Sequence, residues 1–91
     1  MRYFSTARFR RGFRALDAQR QARIEEAMRQ LEAMLESGQL QHGLGLKALY
    51  QGCWEIRAGL SDRIRFRRTG DLVEFLLAGN HDEIKRYLRS L

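Results

Sequence analysis

Three consecutive runs of alternating polar and apolar residues, at 53–58, 63–67 and 72–77, constrain the fold of this chain more than any other feature. Successive side chains of a β-strand point to opposite faces, so each run predicts a strand with one face available to a core. The residues predicted on the core faces are Trp54, Ile56, Ala58, Ile64, Phe66, Val73, Phe75 and Leu77. The pattern therefore predicts a sheet in which three neighbouring strands share one buried face.

The opposite faces of the same runs are rich in charge. If the three strands pair as neighbours, one surface gathers Glu55, Arg57, Arg63, Arg65, Arg67 and Glu74. The whole chain carries a net charge of +6, and arginine supplies almost all of the excess. The planar guanidinium group suits phosphate and carboxylate, so this balance favours a polyanionic partner, nucleic acid first. Cross-strand ion pairs on a solvated surface are the alternative explanation.

Helices are predicted on both sides of these strands. Thr6 can cap a helix that runs to about Leu16, and Asp17 can cap a second helix that ends at Gly38. The apolar stripe of the second helix consists of Ile24, Ala27, Met28, Leu31, Met34 and Leu35. Asn80 and Glu83 can form the capping pair of a last helix. The apolar side of that helix consists of Ile84, Tyr87, Leu88 and Leu91.

The remaining segments complete one α+β domain over residues 1–91. Residues Met1 to Phe4 are expected to form an edge strand. Residues 39–52 contain His42 and three glycines and are expected to form a loop. The expected order is β-α-α-β-β-β-α, with an antiparallel helix hairpin packed on one face of a mostly antiparallel four-stranded sheet.

Composition and spacing also argue against several classes of protein. Cys53 is the single cysteine, which excludes an internal disulfide and fits a reducing cytosol. The start, MRYFSTARFRRGF, lacks the apolar segment of a signal peptide, and no apolar run approaches the length of a membrane span. Two histidines and one cysteine at unrelated spacings make no zinc motif. We therefore expect a cytoplasmic protein without a metal, a cofactor or a membrane.

The element order, together with GCWEIR at 52–57, DRIRF at 62–66 and LLAGNHDEIKRY at 76–87, resembles the RelE/ParE toxin superfamily of type II toxin–antitoxin systems. The resemblance runs from about Leu44 to the end, and the first half matches by pattern. RelE-like members are ribosome-dependent endoribonucleases that cut mRNA in the A site, whereas ParE-like members inhibit DNA gyrase. The resemblance implies a RelE-like toxin whose partners are a cognate antitoxin, the ribosome and mRNA. A gyrase inhibitor and an inactive antitoxin-binding homologue are the alternatives.

The resemblance also suggests roles for individual residues. Arg63 falls where RelE-like nucleases have an arginine that opens the third strand, and Arg57 falls on a basic position of the preceding strand. His81 falls where members carry arginine or histidine after the last strand. Tyr87 falls near an aromatic residue of the terminal helix. Glu55 is a departure, because the best-known lysine-rich sites have lysine at that strand position.

RNA cleavage without a metal needs a base for the 2′-hydroxyl proton, cations at the phosphorane and an acid for the leaving 5′-oxygen. The candidates are Glu55 or His81 as base, Arg57 and Arg63 at the phosphate, and His81 or Tyr87 as acid. The product would be a 2′,3′-cyclic phosphate.

Further residues are expected to hold the RNA, namely Lys47, Arg65, Arg67, Lys85 and Arg86. Plainer roles fit some of the catalytic candidates equally well. His81 fits an ordinary first-turn helix residue, and Tyr87 fits core packing on the apolar side of the last helix.

Overall fold

One mixed sheet with three helices makes up the described part of the chain. The computed structural model describes residues 1–39 and 43–89, so the predictions for His42 and Leu91 lie outside the described residues. The elements are β1 (Arg2–Ser5), α1 (Ala7–Arg14), α2 (Ala18–Ser37), β2 (Lys47–Tyr50), β3 (Cys53–Ala58), β4 (Asp62–Thr69), β5 (Leu72–Asn80) and α3 (His81–Arg89). The strand order is β1-β5-β4-β3-β2, with β1 parallel to β5 and the other pairs antiparallel. The predicted α+β class and element order are confirmed, but the sheet has five strands rather than four.

The additional strand, β2, lies in the segment that the sequence predicts as a loop. It pairs with β3, with Lys47 opposite Glu55 and Ala48 opposite Trp54. All of its residues except Leu49 are exposed, so burial contributes little to this strand. Its hydrogen bonds to β3 hold it instead. The loop prediction was wrong here because those partners lie in another part of the chain and leave no local pattern.

The helix boundaries follow the capping residues. The side-chain oxygens of Thr6 and Asp17 each accept a hydrogen bond from the backbone N–H three residues later, and Gly38 ends α2 in the left-handed conformation. The first helix ends at Arg14 instead of Leu16, because the chain must leave it before Asp17 begins the next. Leu16 is nevertheless buried. In the described ranges, no helix combines the length and apolar character needed to cross a bilayer.

The core lies between the helices and one face of the sheet. Helix α2 packs against β3 and β4, whereas α1 packs against β5. The stripe predicted for α2 faces this core, with Ile24 and Leu31 fully buried. The ring of Phe9 in α1 lies with its centroid 5.7 Å from that of Phe75 in β5. Burying a side chain of this size stabilises the fold by about 1.5–3 kcal/mol.

A β-bulge in β5 changes the face on which its second half lies. Phe66 of β4 pairs with Phe75, but Arg65 pairs with Leu77, so Leu76 is an extra residue. Val73 and Phe75 face the core as predicted. Leu77 was predicted to lie with them, and this was wrong, because the bulge turns it to the opposite face beside Arg65.

A buried ion-pair network joins α2, β4 and α3. Asp62, which is 1% exposed, accepts hydrogen bonds from Arg20 Nη2 at 2.6 Å and from Nε at 3.1 Å. The same guanidinium group pairs with Glu83. Glu83 in turn accepts a bond from the backbone N–H of Asn80 at 2.8 Å, which confirms the predicted capping pair. These contacts fix the start of β4 and the start of α3 relative to each other.

The network also makes stability depend on pH. The Arg20 guanidinium group holds the pKa of the Glu83 carboxyl below its usual range. A lowered pKa in the folded state favours folding wherever the carboxyl is ionised. This stabilisation is therefore present above the ordinary glutamate pKa of about 4.3, and it is lost as the pH falls through the lowered value.

Replacing Arg20 with methionine leaves the buried Asp62 without its cation. We expect Arg20→Met to lower the free energy of unfolding by about 3 kcal/mol, measured by urea denaturation. Arg29→Met is the matched control, because Arg29 forms an exposed pair with Glu26 on the same helix. That change is expected to cost less than about 1 kcal/mol. Equal losses in the two variants would contradict a special role for the network.

Candidate functional site

Three rows of paired residues cross the sheet face that α1 and α2 leave uncovered. Directly opposed residues of paired strands point to the same side, so the register gives the contents of each row. The first row is Arg57, Arg63 and Gly79, the second is Lys47, Glu55, Arg65 and Leu77, and the third is Cys53, Arg67 and Glu74. We call this surface, defined by Lys47, Glu55, Arg57, Arg63, Arg65 and Arg67, the arginine face. The structure thus brings together the strand residues that the sequence predicts for the site.

Glu55 lies at the centre of the arginine face. Its Oε2 accepts a hydrogen bond from Arg65 Nε at 3.0 Å, and its Oε1 lies 3.8 Å from Arg63 Nε. The side chain is only 15% exposed, since the two arginines flank it. The alternative of cross-strand ion pairs is therefore real for this residue. Even so, the cations outnumber the carboxylates, so the face stays positive.

Arg57 and Arg63 face each other directly across β3 and β4. Like charges in this position repel and destabilise a sheet. Among the described residues, the Arg63 side chain has one other contact besides that with Glu55, a long hydrogen bond of 3.3 Å to the carbonyl of Asp62. The side chain of Arg57 lies against Gly45, which leaves no room for a Cβ there. An anion bound between the two guanidinium groups would turn a repulsive pair into a stabilised one.

His81 lies at the edge of this arrangement. It is the first residue of α3 and follows Gly79, the residue paired with Arg63, by two positions. Its side chain is exposed, and within the described residues it makes no hydrogen bond or ion pair. The structure therefore places His81 near the first row and leaves it available to a ligand.

Tyr87 lies farther along α3, against α1. The Tyr87 hydroxyl group packs closely on Gly12, since a Cβ added there would lie 2.9 Å from its oxygen. The backbone carbonyl of Tyr87 accepts a hydrogen bond from Arg8 Nη1 at 3.0 Å. The residue also lines a cavity together with Arg65 and Arg67. It is thus partly packed, as the plainer prediction holds, and it also borders the arginine face. Lys85 and Arg86 are exposed on the same helix.

That cavity is a feature the sequence did not predict. It has a volume of about 300 Å³, and Leu77, Leu88 and Tyr50 line its apolar part beside Arg65 and Arg67. The bulge contributes to the cavity by turning Leu77 onto the arginine face. Tyr50 and Leu88 are large apolar side chains that stay exposed, at 59% and 37%. No local signal announces a bulge at Leu76, so the cavity could not be found from the sequence.

The chemistry of the site is that of cations and proton carriers. Among the described residues, no group of three or more histidine, cysteine, aspartate or glutamate side chains is placed to hold a metal ion. Guanidinium groups bind phosphate oxygens in pairs, and imidazole can give or accept a proton near neutral pH. The arrangement can therefore hold a phosphodiester and place a histidine near it.

Solved structures show the same fold in known toxins. The RelB–RelE antitoxin–toxin complex from Methanococcus jannaschii matches with a TM-score of 0.71 and 21% identity, covering 92% of this chain and 96% of that chain. The DinJ–YafQ complex from E. coli matches with a TM-score of 0.70 and 16% identity, covering 92% and 98%. The intact E. coli RelBE toxin–antitoxin complex matches with a TM-score of 0.62 and 18% identity, covering 87% and 94%.

No family model matches the sequence, and the search of curated proteins finds no match. At these identities the structural similarity establishes a shared fold. The chain therefore has the fold of the RelE-like toxins, as the sequence resemblance predicts.

Neutralising Glu55 tests whether it limits the positive potential of the arginine face. We expect Glu55→Gln to bind a short single-stranded oligonucleotide more tightly than the wild type does. The slope of log K against log salt should be steeper by about 0.7, because an arginine that was paired with Glu55 becomes free to contact a phosphate. The measurement is a titration followed by fluorescence anisotropy at several salt concentrations. Glu25→Gln, an exposed change of the same charge on α2, is the control. An equal gain in both variants would mean that net charge alone matters.

Proposed function

We propose that this chain, which has the fold of the RelE-like toxins, is itself the toxin of a type II toxin–antitoxin system. In this proposal it inhibits translation as a ribosome-dependent mRNA endoribonuclease in the cytoplasm. The observation that carries the proposal is the facing pair Arg57 and Arg63 on the sheet face that α1 and α2 leave uncovered, with an exposed His81 two residues after Gly79 of the same row. The toxin–antitoxin complexes from Methanococcus jannaschii and E. coli that share this fold support it.

The proposed reaction needs no metal. A base removes the proton of the 2′-hydroxyl, the 2′-oxygen attacks the adjacent phosphorus, and the 5′-oxygen leaves with a proton from an acid. Arg57 and Arg63 stabilise the charge that grows on the phosphorane oxygens. Because the two guanidinium groups repel each other, an anion between them is bound more strongly. The products are a 2′,3′-cyclic phosphate and a free 5′-hydroxyl.

His81 is the better candidate for a proton-transfer role than Glu55. Both carboxylate oxygens of Glu55 lie near arginine nitrogens, so the group is engaged in holding the face together. His81 makes no such contact within the described residues. Tyr87 borders the arginine face and is the other candidate for the acid.

The proposed antitoxin would cover the arginine face. A segment with acidic residues can pair with the exposed Arg57 and Arg67, and apolar residues can enter the cavity beside Leu77. Substrate and antitoxin would then compete for the same surface. This explains how one partner protein could silence the toxin without altering its fold.

A gyrase inhibitor with the same fold is the second candidate. The observation in its favour is the pairing of Glu55 with two arginines, since this leaves the strand residues without a free base. Such a protein would act through surface contacts and would cleave no RNA. Toxicity that survives the loss of Arg63 and His81 together, without mRNA cleavage, would identify it.

Expression of the chain alone is the direct test of the toxin proposal. We expect growth arrest, relief of that arrest by the co-expressed antitoxin of a neighbouring reading frame, and new mRNA 5′ ends within codons. The 5′ ends are mapped by sequencing RNA from arrested and rescued cells. Normal growth with abundant soluble protein would argue strongly against an active toxin.

Arg63→Ala and His81→Ala test the proposed chemistry. Each is expected to slow single-turnover cleavage on programmed ribosomes by about two to three orders of magnitude, because each removes a group that acts in the transition state. Arg68→Ala is the matched control, since Arg68 is an exposed arginine of the same strand outside the arginine face. Circular dichroism confirms that each variant folds. Near-normal rates for both variants would show that the site has been assigned to the wrong residues.

A further inference from the structure

A second pair of arginines borders a small cavity beside the end of β3. The cavity has a volume of about 170 Å³ and lies between α2 and the turn that joins β3 to β4. Arg23 and Glu26 of α2 line it on one side, and Arg57 and Gly59 line it on the other. Arg57 therefore belongs both to this cavity and to the first row of the arginine face.

Glycines provide room for both arginine side chains. A Cβ built on Gly59 would lie 2.7 Å from Arg23 Cδ, and one built on Gly45 would lie 2.8 Å from Arg57 Cγ. Both distances are too short for a real contact. Both glycines also have positive φ, +78° and +63°, where other residues are strained. The Arg23 and Arg57 side chains thus pack directly against the backbone at Gly59 and Gly45, where any other residue would place a Cβ in their way.

The charges at this cavity are not balanced within it. Within the described residues, neither Arg23 nor Arg57 forms an ion pair or a side-chain hydrogen bond. Glu26 is the one acidic residue of the lining, and its carboxylate accepts bonds from Arg29 at 2.8 and 3.1 Å and from Gln30 at 3.4 Å. The acid is already engaged, so among the described residues the two cations at this cavity have no carboxylate of their own.

We propose that Arg23 and Arg57 form a second phosphate subsite, which holds a phosphodiester of the RNA next to the one at Arg57 and Arg63. The inference rests on the proposed function and extends it to the path of the RNA strand past the end of β3. No aromatic side chain lines the cavity among the described residues, so no base would stack there. The subsite therefore reads the backbone alone and adds affinity without sequence preference.

Salt dependence separates a specific phosphate contact from a general effect of charge. Each phosphate contact to single-stranded RNA contributes about 0.7 to the slope of log K against log salt. We expect Arg23→Gln to lower the slope by about 0.7 for a uridine oligonucleotide of about twelve residues. Between 50 and 200 mM salt, the affinity of the variant would then fall about 2.6-fold less than that of the wild type. Arg23→Lys retains the charge and is expected to keep the wild-type slope.

Arg14→Gln is the matched control. Arg14 is exposed at the end of α1, and its loss makes the same change in net charge away from the cavity. It is expected to leave the slope unchanged. A wild-type slope in Arg23→Gln, or an equal decrease in Arg14→Gln, would overturn the subsite.

The same set of proteins distinguishes the two proposals. If the wild-type chain cleaves mRNA on ribosomes but Arg23→Gln keeps the wild-type slope, only the subsite proposal is overturned. If Arg23→Gln shows the expected decrease in slope but the wild-type chain cleaves no mRNA on programmed ribosomes, only the nuclease proposal is overturned. A wild-type chain that neither binds the oligonucleotide at low salt nor cleaves mRNA on programmed ribosomes overturns both.

Discussion

The positions of Arg63 and His81 depend on the ion-pair network of Arg20, Asp62 and Glu83. Asp62 is the first residue of β4 and immediately precedes Arg63, while Glu83 lies in the first turn of α3, two residues after His81. One guanidinium group from α2 holds both acids. Burying a carboxylate is costly unless it is paired, so this arrangement is stable only when all three elements are in place. The network therefore couples the packing of the helix layer to the geometry of the face on its far side.

The sheet separates stability from function by its two faces. One face packs against α1 and α2 and contains the residues that bury the most apolar surface. The other carries like charges at close range, partly offset by Glu55, and this arrangement costs stability. The bulge at Leu76 adds an apolar cavity to the charged face, so the same surface can hold phosphate groups and apolar side chains. A surface of this kind suits a protein that is bound in turn by a nucleic acid and by an inhibitory partner.

The three solved complexes compared above share the fold at 16–21% identity. Such divergence is possible because a core needs apolar residues of suitable size and a matching pattern, which many sequences supply. Chemistry depends on a few side chains grafted on the fold, and these can differ between proteins with the same architecture. Glu55 illustrates the point, since it stands at a strand position where the resemblance leads one to expect lysine. The function of this chain must therefore be argued from Arg57, Arg63 and His81 rather than from the fold.

Much of the fold is determined by local sequence. Alternation with period two fixes the strands and their faces, Thr6, Asp17 and the Asn80–Glu83 pair begin the helices, and Gly38 ends α2. These signals act between residues that are close along the chain, so they can be read without the structure. The charged residues that β3 and β4 place on the arginine face follow from the same alternation, because strands adjacent in sequence pair in the sheet. Lys47 lies on β2 and does not follow from it.

Only the tertiary structure decided the features that depend on distant partners. Strand β2 exists because β3 offers it hydrogen bonds, and Leu77 changes face because β4 imposes its register on β5. Arg20 meets Asp62 across 42 positions of sequence, and Arg23 meets Gly59 where α2 crosses a turn of the sheet. Nothing in the local pattern of these residues specifies such a partner. The physical reason is that strand pairing and burial depend on two segments that come together in the fold. The sequence of one segment alone does not specify which other segment it will contact.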